Sequence, residues 1–136
     1  MLQNGTVQDA WTATARGANT RIVKFDTSTG LAVAQYAYSR ESTGQGRGIS
    51  ALVALGNDKF MVLERNNRGV GVGAAVASPD KNVYEISLAG AIDVSSLNLP
   101  ATGALIGDAV AVSKVAKMMD LDANTLAALG NKSPEK

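Results

Sequence analysis

The sequence predicts an all-β protein made of short antiparallel strands, with one short helix near the C-terminus. Three observations indicate this fold class. The composition is rich in small residues, including 14 Gly, and only 4% of the residues are aromatic. Segments of alternating or β-branched residues recur, and turn-forming residues such as Gly, Asn and Asp separate them. Two stretches of the chain also resemble each other.

The residue pattern of the N-terminal part of the chain predicts three strands, at 10–15, 21–26 and 31–38. Thr and Trp favour the first strand, and β-branched residues favour the second. The sequence Asp26-Thr-Ser-Thr-Gly30 predicts a hairpin connection between the second and third strands. Asp and Ser bond to nearby backbone groups in such turns, and Gly accepts a positive φ.

The remainder predicts four further strands, a tight turn and a helix. The strands are expected at 49–55, 59–64, 82–88 and 114–121. Gly56-Asn57-Asp58 forms the turn, and long connections cover 66–81 and 89–112. A short helix is expected at 122–129, with Asp122 or Asn124 as its cap, before a polar tail.

Internal similarity is a feature that β-propellers share. Two stretches share a strand ending in Arg, a loop and a second strand: WTATAR…TRIVKFDTSTG and MVLER…KNVYEISLAG. Such repetition is typical of propellers. We therefore expect a partial propeller of about two four-stranded antiparallel blades, at about 7–38 and 48–121, within one domain of residues 1–136. The strand pattern is equally consistent with an antiparallel sandwich flanked by one helix.

Charge and composition exclude several classes of function. The net charge is +1 and no run of like charge occurs, so we expect no nucleic-acid partner. The longest mainly apolar stretch, 101–112, is shorter than the roughly 20 residues of a membrane span. The chain has 0 His and 0 Cys, which excludes a Ser-His-Asp triad, thiolate catalysis and His or Cys metal ligands within it. Catalysis within the chain would therefore have to use carboxylates, Lys, Arg, Tyr or Ser, together with an oxygen-ligated ion such as calcium if a metal takes part.

Several segments resemble the phytase-like domain of the "esterase-like activity of phytase" family. The most specific is Gly48 to Asn66, GISALVALGNDKFMVLERN, followed by NVYEISLAGA from Asn82. Residues 114–121, with the Leu-rich turn after them, and the upstream pattern from Trp11 to Asp26 are also similar to the family, so the resemblance covers nearly the whole chain.

The resemblance implies a secreted or periplasmic propeller that hydrolyses phosphate or carboxylic esters, with calcium as a possible cofactor. Its ligand would be a small ester or phosphate. The alternative is a non-catalytic propeller module that binds a partner or glycan. The N-terminus has no signal-peptide pattern, and the family's acidic motif would begin about where the chain ends. We therefore expect a truncated chain, inactive alone, that packs against the remaining blades of a longer parent.

In a propeller, the candidate ligand-binding residues would open on one face. They are Arg16, Arg47, Glu64 and Arg65. Arginines there can hold a phosphate or carboxylate through paired hydrogen bonds. The alternative is a purely structural role in ion pairs and loops. No catalytic residue and no metal ligand are assigned, because Ser50 has no His to activate it and Asp120 with Asp122 supplies too few oxygens for calcium.

Overall fold

The structure is a computed structural model of the 136-residue chain. It describes residues 2–4, 18–41, 48–65, 81–100, 104–105, 107, 109–120 and 128. The chain divides into two compact units. Unit 1 comprises Met1–Thr43 with Ser87–Ser113, and unit 2 comprises Gly44–Ile86 with Lys114–Lys136.

Unit 1 contains a three-stranded sheet in the order β1-β2-β3. Its strands are β1 (Leu2–Asn4), β2 (Asn19–Phe25) and β3 (Ala32–Ser39). Both pairings are antiparallel, and Ile22 of β2 lies opposite Leu2 on one side and Tyr36 on the other. Since β-branched side chains suit a pleated surface, Thr20, Ile22 and Val23 favour a strand at this position.

The turn between β2 and β3 is held by Asp26. Its Oδ1 accepts hydrogen bonds from the Ser28 amide at 2.7 Å and from the Thr29 amide at 3.2 Å. Gly30 has a φ of 71°, and its amide donates to the Asp26 carbonyl at 2.8 Å. This is the Asx-type turn that the sequence predicts, with Gly at the position that needs a positive φ.

The outer edge of β3 is covered by part of the connection that follows β6. We call the described residues 91–100 and 109–112 the β3-covering segment. Its Val94 and Val112 amides donate to the Gln35 and Ala37 carbonyls of β3, at 2.7 and 2.8 Å. Alternate carbonyls of a strand point to the same edge, so both bonds satisfy groups that β2 does not reach. The segment thus shields a sheet edge that would otherwise be open to pairing with another chain.

The same segment completes the hydrophobic core of unit 1. Ala37, Val94 and Leu99 form a buried cluster, and the partly buried Leu105 and Ala109 pack against it. Only Ala37 comes from the sheet, so most of this cluster depends on residues that follow β6 in the chain. Burying such side chains is worth about 1.5–3 kcal/mol each for the larger ones.

Arg21 of β2 ties the β3-covering segment to the sheet. One guanidinium nitrogen, Nη1, donates to the Val94 carbonyl at 2.7 Å and to Gln35 Oε1 at 3.0 Å. The other, Nη2, donates to the Leu97 carbonyl at 2.5 Å. The planar fork of donors allows one side chain to bond several acceptors at once. Arg21 is therefore a structural cation of unit 1.

Asp93 makes the attachment of this segment sensitive to acid. The Gln35 amide, and then the Ser95 amide, donate to its carboxylate, and these bonds lower the pKa of Asp93 below its ordinary value. A carboxylate whose pKa is lowered by folding contributes stability above its unfolded pKa of about 3.9, which is lost as the pH falls through the folded pKa.

We therefore expect Asp93→Asn, which keeps an acceptor oxygen but removes the charge, to flatten the acid dependence of unit 1. Urea denaturation followed by circular dichroism at several pH values between about 5 and 2 measures this dependence. Equal slopes for the wild type and the variant would show that Asp93 is not the responsible group.

Unit 2 contains a four-stranded sheet in the order β4-β5-β6-β7. Its strands are β4 (Gly48–Gly56), β5 (Lys59–Arg65), β6 (Lys81–Ser87) and β7 (Ser113–Asp120). The β4–β5 pair is antiparallel and closes at Gly56 opposite Lys59. Asn57 and Asp58 between them have φ values of 50° and 54°, as a two-residue type I′ hairpin requires.

The inner and outer strands of this sheet differ in burial. Val62 and Glu64 of β5, and Tyr84 and Ile86 of β6, are buried, whereas most residues of β4 and β7 are exposed. Large apolar side chains on these edge strands are among the exposed residues: Val53, Leu55, Val115, Met118 and Met119. Among the residues of unit 2 that the structure describes, the buried side chains therefore come mainly from β5 and β6.

The all-β prediction is confirmed, with two antiparallel sheets. Six predicted strands match β2 to β7, with bounds that differ by one or two residues. Leu2–Asn4 was not predicted as a strand, whereas the strand predicted at 10–15 lies outside the described residues. Of the helix predicted at 122–129, only residue 128 is described, and the described residues form no helix that is counted among the elements. The arrangement as propeller blades, at about 7–38 and 48–121, stays a prediction.

Among the residues that the structure describes, no helix is long and apolar enough to cross a lipid bilayer.

Candidate functional site

The sheet of unit 2 separates its polar side chains onto two faces. Glu64 and Arg65 are neighbours on β5, and successive side chains of a strand point to opposite faces. Glu64 shares its face with the buried Val62. Arg65 shares the other face with Lys59, which forms a 2.8 Å ion pair with Glu85 of β6. Glu64 and Arg65 therefore lie on opposite faces of β5, one with the buried Val62 and the other with the Lys59–Glu85 ion pair.

Glu64 forms a buried ion pair with β7. Its side chain is 0% exposed, and its Oε1 accepts a 2.6 Å hydrogen bond from Lys114 Nζ, whose side chain is 24% exposed. Lys114 Nζ also lies 4.3 Å from the centroid of the Tyr84 ring, and Lys117 Nζ lies 5.6 Å from it. An aromatic face attracts a cation at such distances. Glu64 and Tyr84 thus hold the cations of β7 against the inner strands.

Arg65 is oriented by a bulge in β4. Ile49 pairs with Glu64 and Ala51 pairs with Leu63, so Ser50 is an extra residue in the ladder. A bulge of this kind redirects a side chain. Ser50 Oγ accepts a hydrogen bond from Arg65 Nε. The partner of Ser50 is therefore a guanidinium, which cannot take up a proton from the hydroxyl.

Lys81 brings a second cation near Arg65. It begins β6 and is only 8% exposed. Burial, and then the positive charge of Arg65, lower the pKa of the Lys81 ammonium below its ordinary value. Both effects disfavour the charged form of a lysine. The site thus places a buried ammonium within the electrostatic reach of a guanidinium, on adjacent strands.

A family model described as "Phytase-like: Esterase-like activity of phytase" matches residues 1–131. The chain belongs to this family. No curated protein and no solved structure matches the chain significantly. The resemblance inferred from the motifs is confirmed, and the phytase-like family is consistent with a β-propeller.

Two of the four residues predicted to bind a ligand in this phytase-like chain lie outside the described residues. These are Arg16 and Arg47. Glu64 and Arg65 are described, and the structure places them on opposite faces of β5. Ligand binding by any of the four stays a prediction. The geometry of Glu64, buried and paired with Lys114, is that of a structural ion pair.

Sequence reasoning missed Lys81 and Lys114. The signal that could have found Lys114 is Glu64 itself, which continues the face of Phe60 and Val62 on β5 and so needs a buried cation. No comparable signal marks Lys81, because it follows a long predicted loop. Its burial and its position near Arg65 emerge only from the pairing of strands.

The residues that the structure describes offer no ligand set for calcium, which the family resemblance implies as a possible cofactor. Among them, no group of three or more His, Cys, Asp or Glu residues could hold a metal ion. Asp120 Oδ2 accepts a 3.1 Å hydrogen bond from Lys117, and Asp122 lies outside the described residues. Two carboxylates also fall short of the six to eight oxygens that calcium takes.

Proposed function

We propose that this phytase-like chain is part of an extracytoplasmic hydrolase of phosphate or carboxylic esters. The observation that supports the proposal is the family match over residues 1–131. Secretion or export to the periplasm, and a propeller completed by further blades, belong to the same proposal. The ligand would be a small ester or phosphate rather than a nucleic acid.

The cations of unit 2 support an anionic ligand. Ser50, Arg65 and Lys81 bring a hydroxyl, a guanidinium and an ammonium to neighbouring strands. Such groups bind, orient and neutralise a phosphate or a developing oxyanion through charge-assisted hydrogen bonds. Arg65 is the residue that we expect to contact the ester, since it is only partly buried and Ser50 fixes its orientation.

Calcium remains part of the proposal for the whole protein. It would polarise the ester and stabilise charge in the transition state. The described residues supply no ligand set for it, so its ligands would come from other parts of the protein.

A non-catalytic binding module is the second candidate. Two observations favour it: the chain contains 0 His, and the Ser50 hydroxyl is hydrogen-bonded to the Arg65 guanidinium. Such a site binds an anion without an evident base to activate a nucleophile.

The test compares ester hydrolysis by the protein that carries this chain with that of two variants, Arg65→Ala and Lys24→Ala. p-Nitrophenyl phosphate and p-nitrophenyl acetate are the substrates, each with and without calcium. We expect Arg65→Ala to lower kcat/KM by about tenfold or more, because one charge-assisted hydrogen bond is worth about 1.5–3 kcal/mol. Lys24 lies exposed on β2 of unit 1, and its loss should change little.

Hydrolysis of neither ester by the wild-type protein would contradict the hydrolase proposal and favour the binding module. Unchanged kcat/KM in Arg65→Ala, with lowered stability, would assign Arg65 a structural role only.

A further inference from the structure

β3 is an uncharged strand whose outer edge lies beside the β3-covering segment. Its sequence from Ala32 to Ser39, AVAQYAYS, contains no charged residue, no Pro and no Gly. Uncharged segments of about six or seven residues that favour extended structure pair readily with copies of themselves. Natural edge strands usually carry a charge or a Pro that prevents such pairing. Because β3 has neither, its protection must come from outside the strand.

The β3-covering segment protects this edge through single contacts rather than as a regular strand. Its two bonds to β3 carbonyls come from separate runs of the chain, one from the Val94 amide and one from the Val112 amide. A third contact uses a side chain, because the Gln35 amide donates to the Asp93 carboxylate at 3.0 Å. A cover held by so few bonds can open locally while the β2–β3 hairpin stays paired.

The same segment stops the sheet from extending at Val94. The Val94 carbonyl accepts hydrogen bonds from the Leu97 amide at 3.0 Å and from Arg21 Nη1 at 2.7 Å, so it is used within a turn and by β2. The Ser95 amide folds back onto the Asp93 carboxylate at 3.0 Å. Pairing with another chain is therefore blocked while the segment is attached, and detachment exposes the edge of β3.

The hydrogen-bonding directions of β3 determine how two copies of the strand would pair. The bonds of Gln35 and Ala37 to the covering segment show that these residues direct backbone groups to the outer edge. In an antiparallel pair of β3 strands, Gln35 of one copy therefore exchanges hydrogen bonds with Ala37 of the other. Tyr36 then lies opposite its own copy on the two-fold axis, in a non-hydrogen-bonded pair. Every position of β3 faces an uncharged residue in this register.

The edge strands of unit 2 fit such pairing less well. β4 is uncharged, but irregularities interrupt its ladder at Ser50 and near Leu55. Bulges of this kind bend a strand and disrupt its pairing. The irregularity in the β2–β3 ladder lies near Phe25, at the start of β3, and leaves residues 34–39 regular. β7 carries charges of the type that discourages edge pairing: Lys114, Lys117 and Asp120.

We propose that the outer edge of β3 is a self-association surface, which the β3-covering segment keeps closed and which pairs with β3 of a second copy of this chain when the segment detaches. The two strands pair antiparallel about Tyr36 and join the sheets of both copies. Because the contact is two-fold symmetric and uses the same edge of each copy, assembly ends at a dimer. Arg21 controls the opening, since its guanidinium holds the Val94 and Leu97 carbonyls.

The test introduces Tyr36→Cys into the chain, which contains 0 Cys, and follows disulfide formation between copies under mild oxidation. In a non-hydrogen-bonded antiparallel pair the two Cα atoms lie about 4.5 Å apart, a separation that a disulfide spans. The backgrounds are the wild type, Arg21→Met and the matched control Lys24→Met, which removes an exposed cation from the same strand. Ala34→Cys is the register control, because the proposed pairing places Ala34 opposite Tyr38 rather than opposite its own copy.

We expect Tyr36→Cys to cross-link slowly in the wild-type and Lys24→Met backgrounds, and about tenfold faster or more in Arg21→Met. Cross-linking requires the open form, and the loss of the Arg21 hydrogen bonds raises its population. Ala34→Cys should not cross-link in any background. Sedimentation of Arg21→Met without the cysteine should show a monomer–dimer equilibrium. Adding Tyr36→Lys should restore the monomer, because two like charges then lie directly opposite each other.

Equal cross-linking of Tyr36→Cys and Ala34→Cys, or equal rates for Tyr36→Cys in Arg21→Met and Lys24→Met, would overturn the inference. Association of Arg21→Met that continues beyond the dimer and is unaffected by Tyr36→Lys would also overturn it, since general unfolding explains such behaviour. If Arg21→Met does not fold, Arg21→Lys decides the question through the same rates, because an ammonium retains only part of the bonding. None of these measurements uses a substrate, so their outcome is independent of the proposed hydrolase activity.

Discussion

A Lys114→Met substitution is expected to lower the free energy of unfolding of unit 2 by about 3 kcal/mol. Lys114 pairs at 2.6 Å with Glu64, whose side chain is 0% exposed, so the variant leaves a buried carboxylate without its β7 cation. Removing one member of a buried pair costs about 3–5 kcal/mol. The lower end applies because Lys114 is 24% exposed and water partly screens the pair.

Urea denaturation combined with hydrogen exchange at the amides of β5 and β7 measures this loss in unit 2. Glu64→Gln provides the contrast, because Gln keeps an acceptor for Lys114 and removes the charge of the buried carboxylate. We expect it to cost about 1–2 kcal/mol. The double variant Glu64→Leu with Lys114→Met should cost less than the sum of the single changes, since neither charge of the pair remains. Additive costs, or a smaller loss for Lys114→Met than for Glu64→Gln, would rule out the buried pair.

An Arg21→Met substitution should destabilise unit 1 by about 2–3 kcal/mol and loosen the β3-covering segment. It removes hydrogen bonds to the carbonyls of Val94 and Leu97 and to the side chain of Gln35. Hydrogen bonds from charged groups contribute about 1.5–3 kcal/mol each, and the partial exposure of Arg21 reduces the total. Arg21→Lys should recover only part of the loss, because an ammonium lacks the planar fork.

Hydrogen exchange tests this directly at the amides of Val94 and Val112, which donate to β3. Exchange at both should accelerate in Arg21→Met, and urea denaturation should report the lost stability. Lys24→Met is the matched control, as it removes an exposed cation from the same strand. Unchanged exchange at Val94 in Arg21→Met would show that the guanidinium does not hold the segment.

Local patterns made most strands predictable. The apolar run from Phe60 to Leu63 and the Gly56-Asn57-Asp58 turn define the β4–β5 hairpin, and the structure extends β5 by one residue to Arg65. The Asp26 to Gly30 turn follows equally from side-chain chemistry. In both hairpins the residues that form the turn and those that pair are close in the chain. Interactions between neighbouring residues therefore determine the turn and the pairing.

Contacts between distant residues were not predictable in the same way. The sequence predicts only a connection at 89–112, although Val94 and Leu99 form a buried cluster of unit 1 with Ala37. The pairing of Leu2–Asn4 with β2 was also missed, because three residues carry no detectable periodicity. At the candidate site, Arg65 was identified by its position after a strand. Its closeness to Lys81 depends on how β5 and β6 pair, which the sequence does not reveal.

The two units are interleaved along the chain, which crosses between them after Thr43, Ile86 and Ser113. Neither unit is therefore a continuous piece that could be excised or moved intact into another protein. During synthesis from the N-terminus, β2 and β3 leave the ribosome well before Val94 and Val112 exist to shield the outer edge of β3. A nascent chain must carry that bare edge until Val94 and Val112 have been made, and this interval is when a chaperone would matter most.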